Sequence, residues 1–507
     1  MKYFQFIFLF LSFSLVHSQE ISGIVIDSLN NESIPFAAIT SNFNNNTITN
    51  EDGKFRVFKD SSFSEKDSLF ISSIGFRSLS LSLNNNNKFI RIVLSAKAIQ
   101  LKSVEVRNRK KLSVDQILKK VKKNVANTYD LGYRSKKIFW RETGMGETKK
   151  IDFKIKNSSI VEFDQDFMDS ISSTIPKKTN FYLENLLDFY GNRDPENQKI
   201  SIVRSARLLN KENQISLELL QNKIQPIVEL RVKPDSYFKF KSGILPLDIT
   251  LDGVDLRAID STDNSRLEKI KKNELDDRKR FNNSIRRFIK KTSNYYLRYD
   301  YEKERLDLEV FKKSRLYNFK LVELSYIGYD PIYIIDYTPK SSKALYKGRL
   351  YIHADDFAVV RIDFNSIDVL DDFDLFGISY SLDYRFGKQI FKKNINGKYD
   401  LYFSENNIQR SFGLDRPLKI IEKNKNVKGR RKQNQLKMNI IFKARSKIKT
   451  EFIVLNNISI KKSDYQSYKE IESDLPFELT KYDPDFWNGY NIIEPSEVLK
   501  SFKIEKN

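Results

Sequence analysis

The sequence predicts a mainly β protein: a small β-sandwich at the front, a linking helix, and a large antiparallel sheet with some helices behind it. Short apolar runs that alternate with polar residues and end in turn residues indicate the sandwich. Strand-like alternation dominates from Tyr295 to Ile460 and indicates the sheet. The chain has 507 residues, of which 40% are hydrophobic, so it is long enough to bury a sizeable core.

The first residues have the composition of a secretory signal peptide, which is predicted to span residues 1–18. Lys2 supplies a positive charge, an apolar run follows from Phe4 to Val16, and Ser18 is a small residue at a suitable cleavage position. The apolar run is shorter than the ~20 residues that a membrane-spanning helix needs. We therefore expect export, with the mature protein in the periplasm or associated with the outer membrane.

Residues 19–106 are predicted to form the sandwich. Successive side chains of a strand point to opposite faces, so apolar residues at every second position are expected to face a core. This alternation is found at Phe55 and Val57, at Leu69 and Ile71, and at Leu79, Leu81 and Leu83. Asp52-Gly53 is a tight-turn signal because glycine adopts positive φ without steric cost.

Four stretches of this region form a specific set. They are Gly23-Ile24-Val25-Ile26-Asp27, Ile34-Pro35-Phe36-Ala37, Thr49-Asn50-Glu51-Asp52-Gly53-Lys54-Phe55 and Ser73-Ile74-Gly75-Phe76. Together they resemble the carboxypeptidase regulatory-like domain, a transthyretin-like sandwich common in Gram-negative envelope proteins. The resemblance implies seven strands, no catalytic site within the domain, and a further domain behind it.

Residues 107–130 are predicted to be a basic linker followed by an amphipathic helix. Ser113 is a suitable N-cap, and lysines occupy the side opposite the apolar residues. The apolar residues with helical spacing are Val114, Ile117, Leu118, Val121 and Val125. We expect this helix to pack on the domain behind it; a helix that lies on a membrane surface is the alternative.

Residues 131–460 are predicted to be a β-rich domain with helical insertions. Its clearest unit is an amphipathic hairpin from Lys347 to Phe364. Phe181 to Tyr190 and Ser216 to Gln221 are interpreted as short helices, and Asn264 to Lys291 as one or two exposed helices. So many long strands indicate a large curved sheet or half-barrel, which resembles the periplasmic lipoprotein-carrier fold without any motif specific to it. Residues 461–507 are predicted to be an aromatic tail that docks on the sheet.

The residue types exclude most catalytic chemistry. The chain has no Cys, and once His17 leaves with the signal peptide, His353 is the one remaining His. A zinc carboxypeptidase needs two His and a Glu, and a Ser or Cys nucleophile needs a His base beside it. His353 is expected to be exposed, on the polar face of its strand beside a turn. We therefore predict no catalytic residue, no metal site and no cofactor.

Carboxylates leave one enzymatic alternative open. Asp355-Asp356 and Asp371-Asp372 are adjacent pairs, and glycosidases work with two carboxylates. Asp is common in turns, and both pairs are predicted to lie in turns. A carboxylate-based glycan hydrolase is accordingly the first alternative function.

The formal net charge is +22. The basic residues are spread along the chain and mixed with acids, which is typical of a solvated surface. Behind a signal peptide, an anionic membrane surface is a more suitable partner for this charge than nucleic acid. We expect a non-enzymatic envelope binding or structural protein whose large sheet holds an apolar or polymeric ligand, or an envelope partner protein. An accessory of a TonB-dependent outer-membrane transport system is the second alternative.

Export can be tested directly, because it determines both the location of the mature protein and its N-terminal residue. We expect cell fractionation to find the protein in the envelope, and amino-terminal sequencing to find a start near Gln19. Full-length protein in the cytosol would contradict the prediction.

Overall fold

The computed structural model describes most of the chain between Glu20 and Lys500. The described residues are 20–41, 46–58, 67–82, 89–97, 112–130, 132–208, 211–233, 236–243, 245–251, 264–294, 299–300, 305–306, 309–424, 426 and 431–500. The predicted signal peptide, the basic linker and the last leucine of the predicted sandwich pattern, Leu83, lie outside the described residues.

The front domain is a sandwich of seven strands, as predicted. The strands are β1 (Glu20–Asp27), β2 (Ala38–Ser41), β3 (Asn46–Ile48), β4 (Lys54–Phe58), β5 (Ser68–Ser72), β6 (Leu79–Ser82) and β7 (Phe89–Leu94). One sheet has the order β4-β1-β7 and the other the order β3-β2-β5-β6. Strands β1 and β7 are parallel, whereas β1 and β4 are antiparallel.

The predicted core of the sandwich is confirmed except at its edge. Phe55, Leu69 and Ile71 are buried between the two sheets. Leu81 packs against the same core, but Leu79 is 37% exposed. The reason is that β6 is the outer strand of its sheet, where a side chain has neighbours on one side only.

The turn before β4 has the geometry that the sequence predicts. Gly53 has φ +71°. The Asn50 side-chain oxygen accepts hydrogen bonds from the backbone N–H groups of Asp52 at 3.0 Å and Lys54 at 2.9 Å. A Cβ added to Gly53 would lie 2.7 Å from the Ser33 Cβ and 2.8 Å from the Val25 carbonyl oxygen. Both the backbone angle and the available space therefore require glycine here.

The linking helix α1 (Val114–Thr128) forms as predicted. The Ser113 hydroxyl accepts a hydrogen bond from the Gln116 backbone N–H, and the Gln116 side chain accepts one from the Ser113 N–H, which is a capping box. The apolar face is buried against the large sheet, with Ile117 and Val121 fully covered. That face is therefore not available to lie on a membrane.

The second domain is built on a sheet of fourteen strands. The strands that follow α1 are β8 (Arg134–Ser158), β9 (Lys178–Gly191), β10 (Gln198–Leu208), β11 (Ser236–Ser242), β12 (Leu245–Leu251), β13 (Tyr299–Asp300), β14 (Arg305–Leu306), β15 (Tyr317–Ile327), β16 (Asp330–Pro339), β17 (Tyr346–His353), β18 (Val359–Ser366), β19 (Asp371–Leu375), β20 (Ile378–Lys393), β21 (Tyr399–Asn424), β22 (Lys432–Ser459) and β23 (Phe477–Leu479). The main path is β15-β16-β17-β18-β20-β21-β22-β8-β9-β10-β23, while β11 pairs with β12 and β21, and β19 pairs with β20. Strands β13 and β14 form a separate pair.

The helical insertions differ from the prediction. The helices are α2 (Gln165–Thr174), α3 (Lys211–Arg231), α4 (Asn264–Asn294), α5 (Glu309–Lys312), α6 (Lys462–Ser467) and α7 (Glu497–Lys500), with short 3-10 helices at Pro195–Asn197, Ser314–Leu316 and Pro484–Trp487. The interpretation of Phe181 to Tyr190 as a helix is wrong: this segment lies in β9. Its leucines have helical spacing, but both edges of the strand pair with neighbours, and that pairing overrides local propensity.

Two further segments are helical as predicted, but the extent or exposure of the helix differs from the prediction. Ser216 to Gln221 is helical, but it is part of the much longer α3. Asn264 to Lys291 is a single helix, α4, and it is not wholly exposed. Ile285 and Ile289 are buried against the sheet, and the Phe288 ring stacks on Trp140 with centroids 4.3 Å apart. No helix in the described part of the chain is long and apolar enough to cross a membrane.

The aromatic tail lies between the sandwich and the sheet. Trp487 is completely buried, and its indole N–H donates to the Glu184 carboxylate at 2.7 Å. Glu184 also accepts a hydrogen bond from Arg141 at 2.6 Å. On the sandwich side, Arg56 donates to the carboxylate of Glu494 at 3.0 Å. The tail thus binds both domains through buried charged groups.

A half-buried lysine, Lys392, lies at the contact between sandwich and sheet. The ammonium group of Lys392 donates to the Thr40 hydroxyl and lies 4.5 Å from the centre of the Tyr402 ring. Burial lowers the pKa of Lys392 to about 8. A neutral amine is more easily buried than an ammonium group, so this contact disfavours the charged form.

Gly53→Val should destabilise the protein by about 1 kcal/mol or more, because a β-branched residue is strained at positive φ and would also clash with Ser33 and Val25. Gly397→Val is the matched control: Gly397 has φ +73°, but a Cβ there meets nothing within 4 Å. We expect the control to lower the free energy of unfolding less in chemical denaturation. An unchanged denaturation midpoint in Gly53→Val would disprove the turn geometry.

Lys392→Met should stabilise the protein most at neutral pH. Below about pH 8 the lysine is charged in both states, so the wild type carries the full cost of burying it, at most about 3 kcal/mol. Between about pH 8 and pH 10 the folded state loses its proton first, and the stability of the wild type rises toward that of the variant.

The test is the free energy of unfolding of both proteins across this pH range. The exposed Lys347, changed to Met, is the control, and its difference from the wild type should not depend on pH in this way. A constant difference between Lys392→Met and the wild type would contradict the assignment.

Candidate functional site

An apolar cavity of about 340 Å³ lies between the large sheet and helices α2 and α3. The sheet forms its floor, through side chains of β8, β11, β21 and β22. The floor residues are Phe153, Phe238, Phe240, Ile420, Leu436 and Met438. The helices form its roof, with Phe167, Met168 and Ile171 from α2 and Ile224 and Val228 from α3. This cavity is the candidate functional site.

Helix α2 is held over the floor by polar contacts at its first turn. The Asp164 carboxylate accepts a hydrogen bond from the Phe167 backbone N–H at 2.8 Å and caps the helix. The Gln165 side chain accepts from the Ile155 N–H at 3.0 Å and donates to the Phe153 carbonyl at 2.8 Å. These two bonds to β8 fix the helix so that its apolar side faces the sheet.

Helix α3 closes the roof from the other side. The Lys223 ammonium donates to the Thr174 hydroxyl at 3.1 Å and to the Ser170 hydroxyl at 2.5 Å, which joins α3 to α2. Arg231 pairs with Glu162 at the end of α3. Pro226 lies inside this helix; it has no N–H to donate and disrupts the regular hydrogen bonding of the turn before it.

Polar groups of the cavity are confined to one side, around Glu422, Asn434 and Gln435. The Glu422 carboxylate accepts hydrogen bonds from the Lys233 N–H at 3.0 Å, the Ser236 hydroxyl at 2.6 Å and the Asn434 side chain at 2.7 Å. Because its oxygens are occupied in this way, Glu422 supports the structure around the cavity. What the cavity offers a ligand is apolar contact.

A second, polar cleft of about 540 Å³ lies where the sandwich turn, the tail and the sheet meet. Lys449 is one of its lining residues. Its ammonium group lies 3.0 Å from the carboxylate of Glu51, 3.4 Å from that of Glu451 and 3.7 Å from that of Glu405. Burial alone would lower the pKa of Lys449, but these carboxylates outweigh it and raise the pKa. All three acids thus share one cation.

The prediction that His353 is exposed is wrong. His353 is 4% exposed, and its Nδ1 accepts hydrogen bonds from the backbone N–H groups of Asp355 at 3.2 Å and Asp356 at 3.1 Å. Alternation alone assigns one face of β17 to water, but Tyr351, Ile352 and His353 are all buried. The sheet is covered on both faces here, and the turn closes over the imidazole.

The structure places the two carboxylate pairs in different settings. Burial would raise the pKa of Asp356, but hydrogen bonds from Lys393 and Tyr399 outweigh burial and lower it. Asp355-Asp356 is in a turn as predicted, but Asp371 and Asp372 begin the exposed strand β19 and not a turn. Among the residues that the structure describes, no three His, Cys, Asp or Glu side chains are grouped to hold a metal ion.

The cavity could not be predicted from the sequence, because its lining comes from segments far apart in the chain. A local signal for α2 was present: Asp164 precedes Phe167, Met168 and Ile171, which have the spacing of one helix face. The matching floor residues on β11, β21 and β22 show only ordinary strand alternation. Strand order, which the sequence does not specify locally, brings them together.

Comparison with known proteins identifies the front domain. Residues 21–106 match the family model of the CarboxypepD_reg-like domain, and no curated protein matches the chain. A chain from the complex structure of Pseudomonas aeruginosa MucA/MucB is similar over 64% of this chain and 94% of that one, at 7% identity and a TM-score of 0.11; a likeness at that score supports no inference. The chain is a protein with a carboxypeptidase regulatory-like domain at residues 21–106, followed by a large, mainly antiparallel sheet.

Proposed function

We propose that this is a non-enzymatic envelope binding protein, and that it holds the apolar part of a ligand, such as an acyl chain, between the sheet and helices α2 and α3. The observation that carries the proposal is the cavity of about 340 Å³ with its almost wholly apolar lining. Small-molecule sites have volumes of ~300–1,000 Å³ and are lined mainly by apolar and aromatic side chains. Each methylene buried there contributes about 0.8 kcal/mol.

The arrangement of the roof supports exchange of such a ligand. Helix α3 is joined to α2 by the hydrogen bonds of Lys223, and its end is joined by Arg231 to Glu162, which precedes α2. The Arg231–Glu162 pair is at the surface, where an ion pair contributes little to stability. Of the α3 side chains that the structure describes, Val228 alone is buried, so the helix can move away from the sheet at a modest cost and admit an elongated molecule.

The front domain has a structural part in this proposal. Its Asn50 side chain donates to the Pro495 carbonyl at 3.2 Å, and its Thr47 hydroxyl donates to the Ile492 carbonyl at 3.1 Å. Through the tail, the sandwich supports the sheet that forms the cavity floor. The signal-peptide composition of residues 1–18 supports export to the periplasm or the outer membrane, and an envelope protein is the proposed source or recipient of the ligand.

The alternative functions have less support. A glycan hydrolase needs two carboxylates that act on its substrate, whereas Glu51 and Glu451 of the polar cleft pair with Lys449, as does the neighbouring Glu405. A role as an accessory in TonB-dependent transport stays a prediction from the front domain alone.

The cavity can be tested with the apolar dye 1-N-phenylnaphthylamine, whose fluorescence rises in a dry site. Ile224→Trp should fill part of the cavity and weaken dye binding about tenfold or more, a loss of ~1.4 kcal/mol. Leu219→Trp is the matched control, because Leu219 is on the same helix, exposed and outside the lining. We expect the control to bind like the wild type.

Circular dichroism melting curves should show that both variants are folded. The proposal fails if the wild type does not bind the dye, or if both tryptophan variants weaken binding equally.

A further inference from the structure

Three lysines lie side by side across neighbouring strands at the same end of the sheet as the cavity. Lys241 of β11 is directly opposite Lys419 of β21, and Lys419 is directly opposite Lys437 of β22. We call these three residues the lysine row. Since Phe240, Ile420 and Met438 line the cavity, and strand side chains alternate, the row is on the opposite face of the sheet.

The lysine row is expected to lower the stability of the fold. Side chains directly opposite each other on antiparallel strands have Cβ atoms about 5 Å apart, and like charges there are destabilising. None of the three lysines forms an ion pair with any residue whose side chain the structure describes. The exposed Lys154 and Lys156 of β8 add positive charge beside the row, and Asp152 pairs with Lys154 at 3.8 Å. Such a conflict between local charge and stability is expected at a functional surface.

An exposed apolar turn adjoins the row. Strands β19 and β20 are joined through Phe376 and Gly377, and Leu375 and Phe376 are 60% and 64% exposed. Arg416 holds this turn, donating to the Phe376 carbonyl at 2.7 Å, and it also donates to the Ser242 carbonyl at 2.6 Å. Ser242 follows Lys241 directly, so one buried arginine fixes the apolar turn next to the lysine row.

We propose that the lysine row and the apolar turn form a surface that binds an anionic lipid bilayer. Cations attract the headgroups, and each lysine near the surface contributes ~1 kcal/mol. Leu375 and Phe376 then enter the boundary between headgroups and acyl chains, as apolar anchors do in peripheral membrane proteins. Asp371, Asp372 and Asp374 lie on the strand that leads to the turn, so the attraction comes from the row and the turn supplies the apolar contact.

The combination favours a bilayer over a nucleic acid. A nucleic-acid surface presents cations along a groove with aromatic rings that stack on bases. Here the apolar group projects at the end of a hairpin beside the cations. The apolar cavity is on the other face of the sheet from the lysine row, so either proposal can fail without the other.

The test is flotation of the purified protein with vesicles. We expect binding to vesicles of phosphatidylcholine mixed with an equal amount of phosphatidylglycerol, and little binding to phosphatidylcholine alone. Salt at about 1 M, where the Debye length is ~3 Å, should release most of the bound protein.

The variant Lys419→Glu tests vesicle binding without weakening the fold. The new carboxylate would lie between Lys241 and Lys437 and pair with both, so the variant should be at least as stable as the wild type while its vesicle affinity falls about tenfold or more. Lys347→Glu, at an exposed lysine on β17, makes the same change in net charge and should change affinity less than about twofold. Leu375→Gln combined with Phe376→Asn should weaken binding and keep its salt dependence, because the lysine row is unchanged. Phe376 has φ +51°, and Asn tolerates positive φ.

Each result decides the proposal. Equal binding to both kinds of vesicle, no binding to either, or unchanged affinity in Lys419→Glu would overturn it. Binding to duplex DNA in place of vesicles would assign the row to a different partner and also overturn it.

Discussion

The buried contact of Arg141, Glu184 and Trp487 holds the molecule together. Arg141 is on β8, Glu184 is on the neighbouring β9, and Trp487 comes from the tail. Glu184 accepts hydrogen bonds from both other side chains, and Arg141 also donates to the Ile493 carbonyl at 2.8 Å. Removing one partner of a buried ion pair typically costs 3–5 kcal/mol, because the other charge stays buried. This contact therefore anchors the tail to the sheet, and the tail brings Glu494 to Arg56 of the sandwich.

The sequence predicted those parts of the fold that local patterns determine. Phe55 and Leu69 alternate with polar residues and are buried, and Gly53 has the positive φ that its turn requires. Helix α1 has both its cap and its apolar stripe in the sequence, and both are present. In each of these cases the neighbours that decide the structure are a few residues away.

The errors occur where distant segments decide. The leucines of β9 have helical spacing, but β8 and β10 pair with both its edges. Alternation along β17 assigns His353 to the exposed face of the strand, yet the sheet is covered on both faces at that point. The cavity could not be predicted for the same reason, because its floor brings together Phe153 of β8, Ile420 of β21 and Met438 of β22. Alternation says which residues share a face of one strand, but not which strands are neighbours or what covers them.

The docked tail has a consequence for the order in which the protein folds. The partners Arg56 and Glu494 are separated by 438 residues, and the core of the sandwich needs none of the tail. The N-terminal end of a chain also emerges first during export, so the sandwich can complete its own core before the tail arrives. The surface of the sandwich around Arg56 stays uncovered until the last segment of the chain docks on it. Contacts between residues so far apart in the sequence slow folding and leave sheet edges unpaired in the meantime. The incomplete chain is therefore a natural client for chaperones until Trp487 is in place.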